Sequence, residues 1–233
     1  MSQLTPITGL PADAAPPRRG GRPSRQDAEQ LRQTIIEVAT AMFLSQGYGA
    51  TSIDAIAQQA RMSKRTFYHR FHDKAELFGA VVHDIVAKLY PPEASNAAGM
   101  AALFAGAELE QILRRIARIA LRAAVSPQAV ALQRMILSEA SRFPELAQTI
   151  LGEGSRQDAV TRIAALLERE RQAGRIAIDE TYFAAEQFLQ MVVSLPQRRA
   201  MGLGTPMTEA ELDAWSDDTI RLFLDGCRGW IPR

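Results

Sequence analysis

From Asp27 to Gly226 the apolar residues return at steps of three and four and nowhere alternate with period two over a useful length. That spacing paints stripes on helices and cannot supply the one-sided face of a strand, so the chain must build its core from helices alone. The clearest stripe is Leu77, Phe78, Val81, Val82, Ile85, Val86 and Leu89, which the prolines at 91 and 92 bring to an end. The reading is an all-α protein. The periodicity predicts a first helix from Asp27 that closes at Gly47, a short second over 52–60, a third from Ser63 through Arg70 and a fourth after Asp73, where Glu76 completes a capping box. Further segments fall near 107–125, 127–142, 144–151, 155–173, 179–199 and 208–226, with Pro127, Pro144, Gly152, Gly154, Gly174 and the run "MGLGTP" between them.

Every long apolar segment is broken by charge at helical spacing, so none approaches the roughly 20 residues that span a bilayer. Cys227 is the single cysteine and has no partner for an intramolecular disulfide, and the N-terminus lacks the apolar run of a signal peptide. The expectation is a soluble, cytoplasmic protein without a membrane partner. The net charge is only +1, but it is unevenly spread. Residues 1–90 carry 11 Lys+Arg against 8 Asp+Glu, and the remainder carries 16 against 18. Residues 1–26 are rich in Pro, Gly and Ala, have no apolar period, and hold Arg18, Arg19, Arg22 and Arg25 against Asp13, which predicts a disordered basic arm.

The third helix is the informative one. In "RMSKRTFYHRFHDKAELF", residues 61–78, cations and aromatics crowd into a few turns. Two short helices about three residues apart, the second with cations on its solvent side, make a helix-turn-helix. Ala57 suits the close crossing, and Ile53, Ile56, Met62, Phe67 and Phe71 supply a small core that fixes the angle. Arg61 stands where glycine is usual in the turn and carries a modest cost if its φ must be positive. With the third helix in the major groove, Lys64 and Arg65 become base readers. Thr51, Ser52, Ser63, Thr66, Tyr68 and His69 become hydrogen-bonding groups along the DNA. Lys74, at the start of the fourth helix, adds charge to a helix N-terminus that already favours phosphate.

Residues 40–78, "TAMFLSQGYGATSIDAIAQQARMSKRTFYHRFHDKAELF", closely resemble the DNA-binding domain of the TetR family of bacterial one-component regulators. The shared landmarks are the glycine ending the first helix, the Thr-Ser start of the second, the Ile-Ala pair, the Ser-x-x-Thr-Phe-Tyr run and the Lys-x-x-Leu-Phe opening of the fourth. Arg61 and His69 depart from the common pattern and leave the operator sequence open. "LSEASRFPELAQTIL" with "AAEQFLQMVVSLPQRRAMGLG" resembles, more weakly, the C-terminal domain of the AefR-type branch. The resemblance implies a homodimer built on the last two helices, a pocket inside a C-terminal bundle, and repression of an operator relieved by a small-molecule ligand. The resulting division is a basic arm at 1–26, a helix-turn-helix domain at 27–73, and a ligand-binding and dimerisation domain at 74–233 that begins with a connecting helix at 74–90.

In that second domain Met135, Phe143, Phe183, Gln187 and Met191 are candidates to line a ligand pocket, and Gln187 is expected to be a buried amide in need of a partner. Leu212, Trp215, Thr219, Ile220, Phe223 and Cys227 share one stripe of the last helix and are candidates for a twofold interface. Such an interface sets two recognition helices one DNA turn apart, roughly 34–36 Å, or a multiple of it, so the operator is expected to be an inverted repeat. His69, His72 and His83 are joined by no cysteine or carboxylate at ligand spacing, and neither a metal nor a cofactor is expected. An enzyme with an accessory DNA-binding module would need a nucleophile with its base, or paired carboxylates. Glu168 and Glu170 in "LERERQ" read instead as a solvated helix face. An activator remains the alternative to a repressor.

Overall fold

The computed structural model describes residues 25–89, 106–152 and 155–229, and among them ten α-helices and no strand. The N-terminal four are α1 (Arg25–Gln46), α2 (Ile53–Gln59), α3 (Lys64–Tyr68) and α4 (Lys74–Leu89). The other six are α5 (Leu109–Val125), α6 (Pro127–Glu139), α7 (Pro144–Gly152), α8 (Ser155–Gln172), α9 (Thr181–Ala200) and α10 (Glu209–Gly229). Residues 1–24 of the basic arm, Gly21-Arg22-Pro23 included, fall outside the described residues, as do Trp230 and the side chain of Cys227, whereas Arg25 and Gln26, expected in the arm, are the first residues of α1.

Helix ends lie where local chemistry puts them. Gly47 closes α1 with φ 88°, as a left-handed terminus requires. Ser52 and Ser63 cap α2 and α3, each accepting from the backbone N–H three residues on. At α4 Asp73 accepts from the Glu76 N–H, and the Glu76 carboxylate reaches back past the cap to accept from the His72 N–H. Thr208 and Glu211 repeat the device at α10. The turn after α2 is a Schellman motif, in which the Met62 N–H donates to the Ala57 carbonyl and the Arg61 N–H to that of Gln58. Arg61 therefore sits at φ 54°, alone among the described non-glycine residues in having a positive φ.

Two apolar cores result. The first joins Ile35, Ile36, Ala39 and Phe43 of α1, Ile56 of α2, Phe67 and Phe71 around α3, and the whole α4 stripe, then continues into Leu132, Met135 and Leu146 of α6 and α7. The second lies among α5, α8, α9 and α10, around Leu113, Leu121, Val160, Leu167, Phe188 and Val192. α4 thus shares its core with the first three helices, although its place in the sequence reads as the opening of the second domain. It packs on α1 and α7 together, with the Gln33 amide of α1 donating to Asp84 at 3.1 Å.

Two charge readings change on folding. Glu170 is only 6% exposed, and the Arg175 guanidinium grips it at 2.6 and 2.9 Å across the Gly174 turn that ends α8. The solvated face expected for "LERERQ" holds for Glu168, which binds Arg171 at the surface, and not for Glu170. The reason is the chain reversal at Gly174, which carries Arg175 back over the helix it has just left.

Candidate nucleic-acid interface

The recognition face is built by locking the back of a very short helix. Phe67 is fully buried and Phe71 nearly so, their rings 5.8 Å apart, and Ile56 and Ala57 of α2 close the crossing from the other side. Ile53 and Met62 fill the edges of the same core. A five-residue helix has no stability of its own, so its tilt is set by these contacts. With Phe67 turned inward, helical geometry leaves Lys64, Arg65, Tyr68 and His69 on the outside, and all four are exposed. Tyr68 is 55% exposed, an unusual place for a ring, and it stands edge-on to Phe67 at 5.5 Å, which holds its hydroxyl outward.

Not every group proposed for DNA stands free. The Lys64 ammonium lies 2.7 Å from the Asp54 carboxylate of α2, and that hydrogen bond, with the charge behind it, holds the lysine pKa above its usual value. From the sequence Asp54 reads only as the acidic member of a cap with Thr51; its place in the first turn of α2 also brings it to the Lys64 ammonium at the start of α3. The Ser63 and Thr66 hydroxyls bond each other at 2.8 Å while Ser63 caps the helix, so one of the two O–H groups remains to donate to an acceptor from outside. Ser52 is exposed at the start of α2.

Thr51 and Lys74 are corrections to the expected phosphate contacts. The Thr51 side chain is buried, and its hydroxyl donates to the Gly47 carbonyl at 2.8 Å. Lys74 points back into the protein, where its ammonium donates to the carbonyls of Tyr48 and Thr51 at 2.9 and 3.1 Å and lies 4.2 Å from the centre of the Tyr48 ring. Desolvation lowers its pKa, while Glu139 and Glu145 nearby oppose the shift. The physical reason in both cases is the segment 47–51, whose carbonyls have no helix to satisfy them and so take donors from side chains.

That segment is the part of the site that sequence reasoning missed. Tyr48 is nearly fully buried, its ring among Phe43, Phe78 and Phe143 with centroids 5.1 to 5.9 Å apart across the cluster. Burial first, then the charge and hydrogen bond of Glu145, push its phenol pKa up to about 12. The Glu139 carboxylate, at the end of α6, accepts from the backbone N–H of Tyr48 at 2.9 Å and of Gly49 at 2.6 Å. The only local signal was the "SEASRFPEL" run itself, noticed as a family likeness and not as a contact.

The second domain keeps part of the pocket set assigned to it and turns the interface set inward. Met135 and Phe143, expected in the pocket, belong to the first core: Met135 is buried there, and Phe143 packs on Tyr48 and lies 5.7 Å from the Lys74 ammonium. Phe183, Gln187 and Met191 do line a cavity, of about 520 Å³ between α9 and α10, with Leu222, Phe223 and the acidic pair Asp179 and Glu180. Gln187 is exposed there and not a buried amide. Conversely, Leu212, Thr219, Ile220 and Phe223 are buried within their own chain, and the Trp215 indole N–H donates to the Val192 carbonyl of α9 at 2.9 Å. The expected interface stripe of α10 is therefore its inward face, and Cys227 lies outside the described side chains. On the outside stand Phe183 and Leu222, 55% and 65% exposed.

Comparison with known proteins agrees with this arrangement at both ends. Residues 35–81 match the model of bacterial regulatory proteins of the tetR family, and residues 111–226 match that of the AefR-like transcriptional repressor C-terminal domain. The chain is 37% identical over 60 residues to the HTH-type transcriptional regulator AcrR of Shigella flexneri, a stretch covering 26% of this chain and 28% of that one. The chain spans less than half the length of the curated relatives it matches, between 28% and 46%. Solved structures are matched almost throughout. A TetR-family transcriptional regulator from Mesorhizobium loti is 29% identical, with 87% of this chain and 98% of that chain covered at a TM-score of 0.71. The flavonoid-responsive regulator FrrA is 32% identical, with 87% and 100% covered at 0.70. With both of its domains matched in order and a full-length structural relative above 30% identity, the chain belongs to the TetR family of bacterial transcriptional regulators.

Proposed function

We propose that this protein is a cytoplasmic, homodimeric repressor that binds an inverted-repeat operator and leaves it when a small molecule occupies the C-terminal domain. The observation that carries the reading is the outer face of α3, where Lys64, Arg65, Tyr68 and His69 stand exposed on a helix fixed from behind by Phe67 and Phe71. Lys64 and Arg65 are the base readers. Ser52, Ser63, Thr66, Tyr68 and His69 hold the register on the phosphates, where their contribution falls steeply with salt. No helix among the described residues is long and apolar enough to cross a membrane.

The outer faces of α9 and α10 are the twofold surface in this reading, because Phe183 and Leu222 leave apolar area in water that a second copy would cover. The cavity between those helices opens on the same surface, so the partner would close it, and its volume suits a small ligand. Phe183, Gln187 and Met191 then contact the ligand from one side. The name of FrrA makes flavonoids the first compounds to try. Repression is favoured over activation by the AefR-like repressor domain at residues 111–226.

Selection of bound duplexes from a random pool, repeated with a flavonoid panel, tests the whole reading. The expected result is an inverted repeat whose recovery falls when the ligand is added. Recovery of no preferred sequence at moderate ionic strength would refute it.

A further inference from the structure

The segment 47–51 is held from two sides at once. From the C-terminal domain, both oxygens of Glu139 accept backbone N–H groups of Tyr48 and Gly49, at 2.9 and 2.6 Å. From α4, the Lys74 ammonium donates to the carbonyls of Tyr48 and Thr51. The grip is close-fitting. A Cβ on Gly49 would stand 2.9 Å from a Glu139 oxygen and 2.9 Å from the Phe143 ring, and a Cβ on Gly47 would meet the same carboxylate. Immediately after Thr51 comes Ser52, the cap of α2, so whatever moves 47–51 moves the start of the helix-turn-helix.

We propose that Glu139 is a positioning residue for DNA recognition: it couples the α6–α7 corner of the C-terminal domain directly to the first helix of the reading module, in addition to the packing of α4 on α1 and α7. The inference rests on the DNA-binding reading. A carboxylate suits this task because it presents two acceptors to two parallel donors, and charge-assisted bonds of this kind are about twice as strong as neutral ones. An amide cannot reproduce the pattern, because its NH₂ would face one of the two N–H groups. Motion of the α6–α7 corner therefore changes the orientation of α2 and α3 without any change in the base-reading side chains. Tyr48 adds directionality, since its ring sits against Phe143 and its hydroxyl reaches Glu145 of α7 at 3.4 Å.

The test compares the full-length parent with Glu139→Gln, nearly identical in shape, on the operator recovered by selection. Fold and association are checked by circular dichroism and sedimentation. The variant is expected to stay folded and associated, to lose tenfold or more in operator affinity, and to accept a wider range of half-site spacings. Its affinity for unrelated duplex should be unchanged, since the phosphate-facing groups are intact. A folded variant with parental affinity and spacing preference would overturn the inference and leave DNA binding standing. A parent that selects no sequence would instead sink the DNA-binding reading.

A second measurement needs neither variant nor DNA. In the parent, the amides of Tyr48 and Gly49 should exchange with solvent hydrogen as slowly as those of α4. Exchange at the rate of an open loop would also overturn the proposal.

Discussion

At Arg61 a bulky residue pays for a left-handed turn that glycine would make without strain, and this exposes a stability reserve. Arg61→Gly should raise stability by about 1 kcal/mol, measured by urea unfolding, because the left-handed conformation costs roughly 1–2 kcal/mol for a residue with a Cβ and glycine returns part of that through the unfolded chain. A lower midpoint would mean that the arginine side chain makes contacts worth more than its strain. Among the readers, Lys64→Ala or Arg65→Ala should relax preference at defined base positions by about 1–3 kcal/mol, while Tyr68→Phe weakens all sequences alike. Specificity profiling of the three variants separates these outcomes. Lys64 has a particular constraint: in the free protein its ammonium belongs to Asp54, so it must exchange that partner for a base.

Among the elements, α4 and the segment before α2 act as one unit around Tyr48. Its phenol pKa stands near 12 in the folded protein against 10 in the open chain, so the folded state holds its proton more tightly. The contribution is complete below pH 10 and is lost as pH rises from 10 through about 12. The expected outcome is a fall of stability over that window, read from denaturant midpoints, which Tyr48→Phe makes shallower. An alkaline limb of equal slope in the variant would assign the loss to other groups. The same element explains a limit of sequence reading: Lys74 was legible as a cation at a helix start, but the nearest unsatisfied carbonyls, not the helix dipole, decided where it points.

For the molecule as a whole, the association surface is the decisive question. Phe183→Glu or Leu222→Glu should convert the protein to monomers at micromolar concentration and reduce operator affinity at least tenfold, since two half-sites must be bound together. Leu137→Glu, at a similarly exposed leucine on α6, is the control and should leave sedimentation unchanged. Equal behaviour of all three would place the partner elsewhere. The sequence had assigned the opposite residues of α10 to this surface, and the mistake has a physical origin. Leu212, Ile220 and Phe223 form the more regular stripe because they fill the chain's own core.

What the residues alone settled was local: the helix termini at Gly47, Ser52, Ser63 and Asp73, a turn at Arg61 where glycine is usual, and an α3 whose cations face outward because Phe67 must face in. Each follows from neighbours within about one helical turn, where spacing dictates geometry. Folding in three dimensions decided which of two apolar stripes on α10 is covered by the same chain, and where a free-looking side chain finds its partner. Glu139 and Tyr48 are 91 positions apart, and no periodicity encodes that meeting. It exists because α6 and α7 give their apolar side chains to the first core, and unpaired backbone groups beside that core take the nearest charge that can satisfy them.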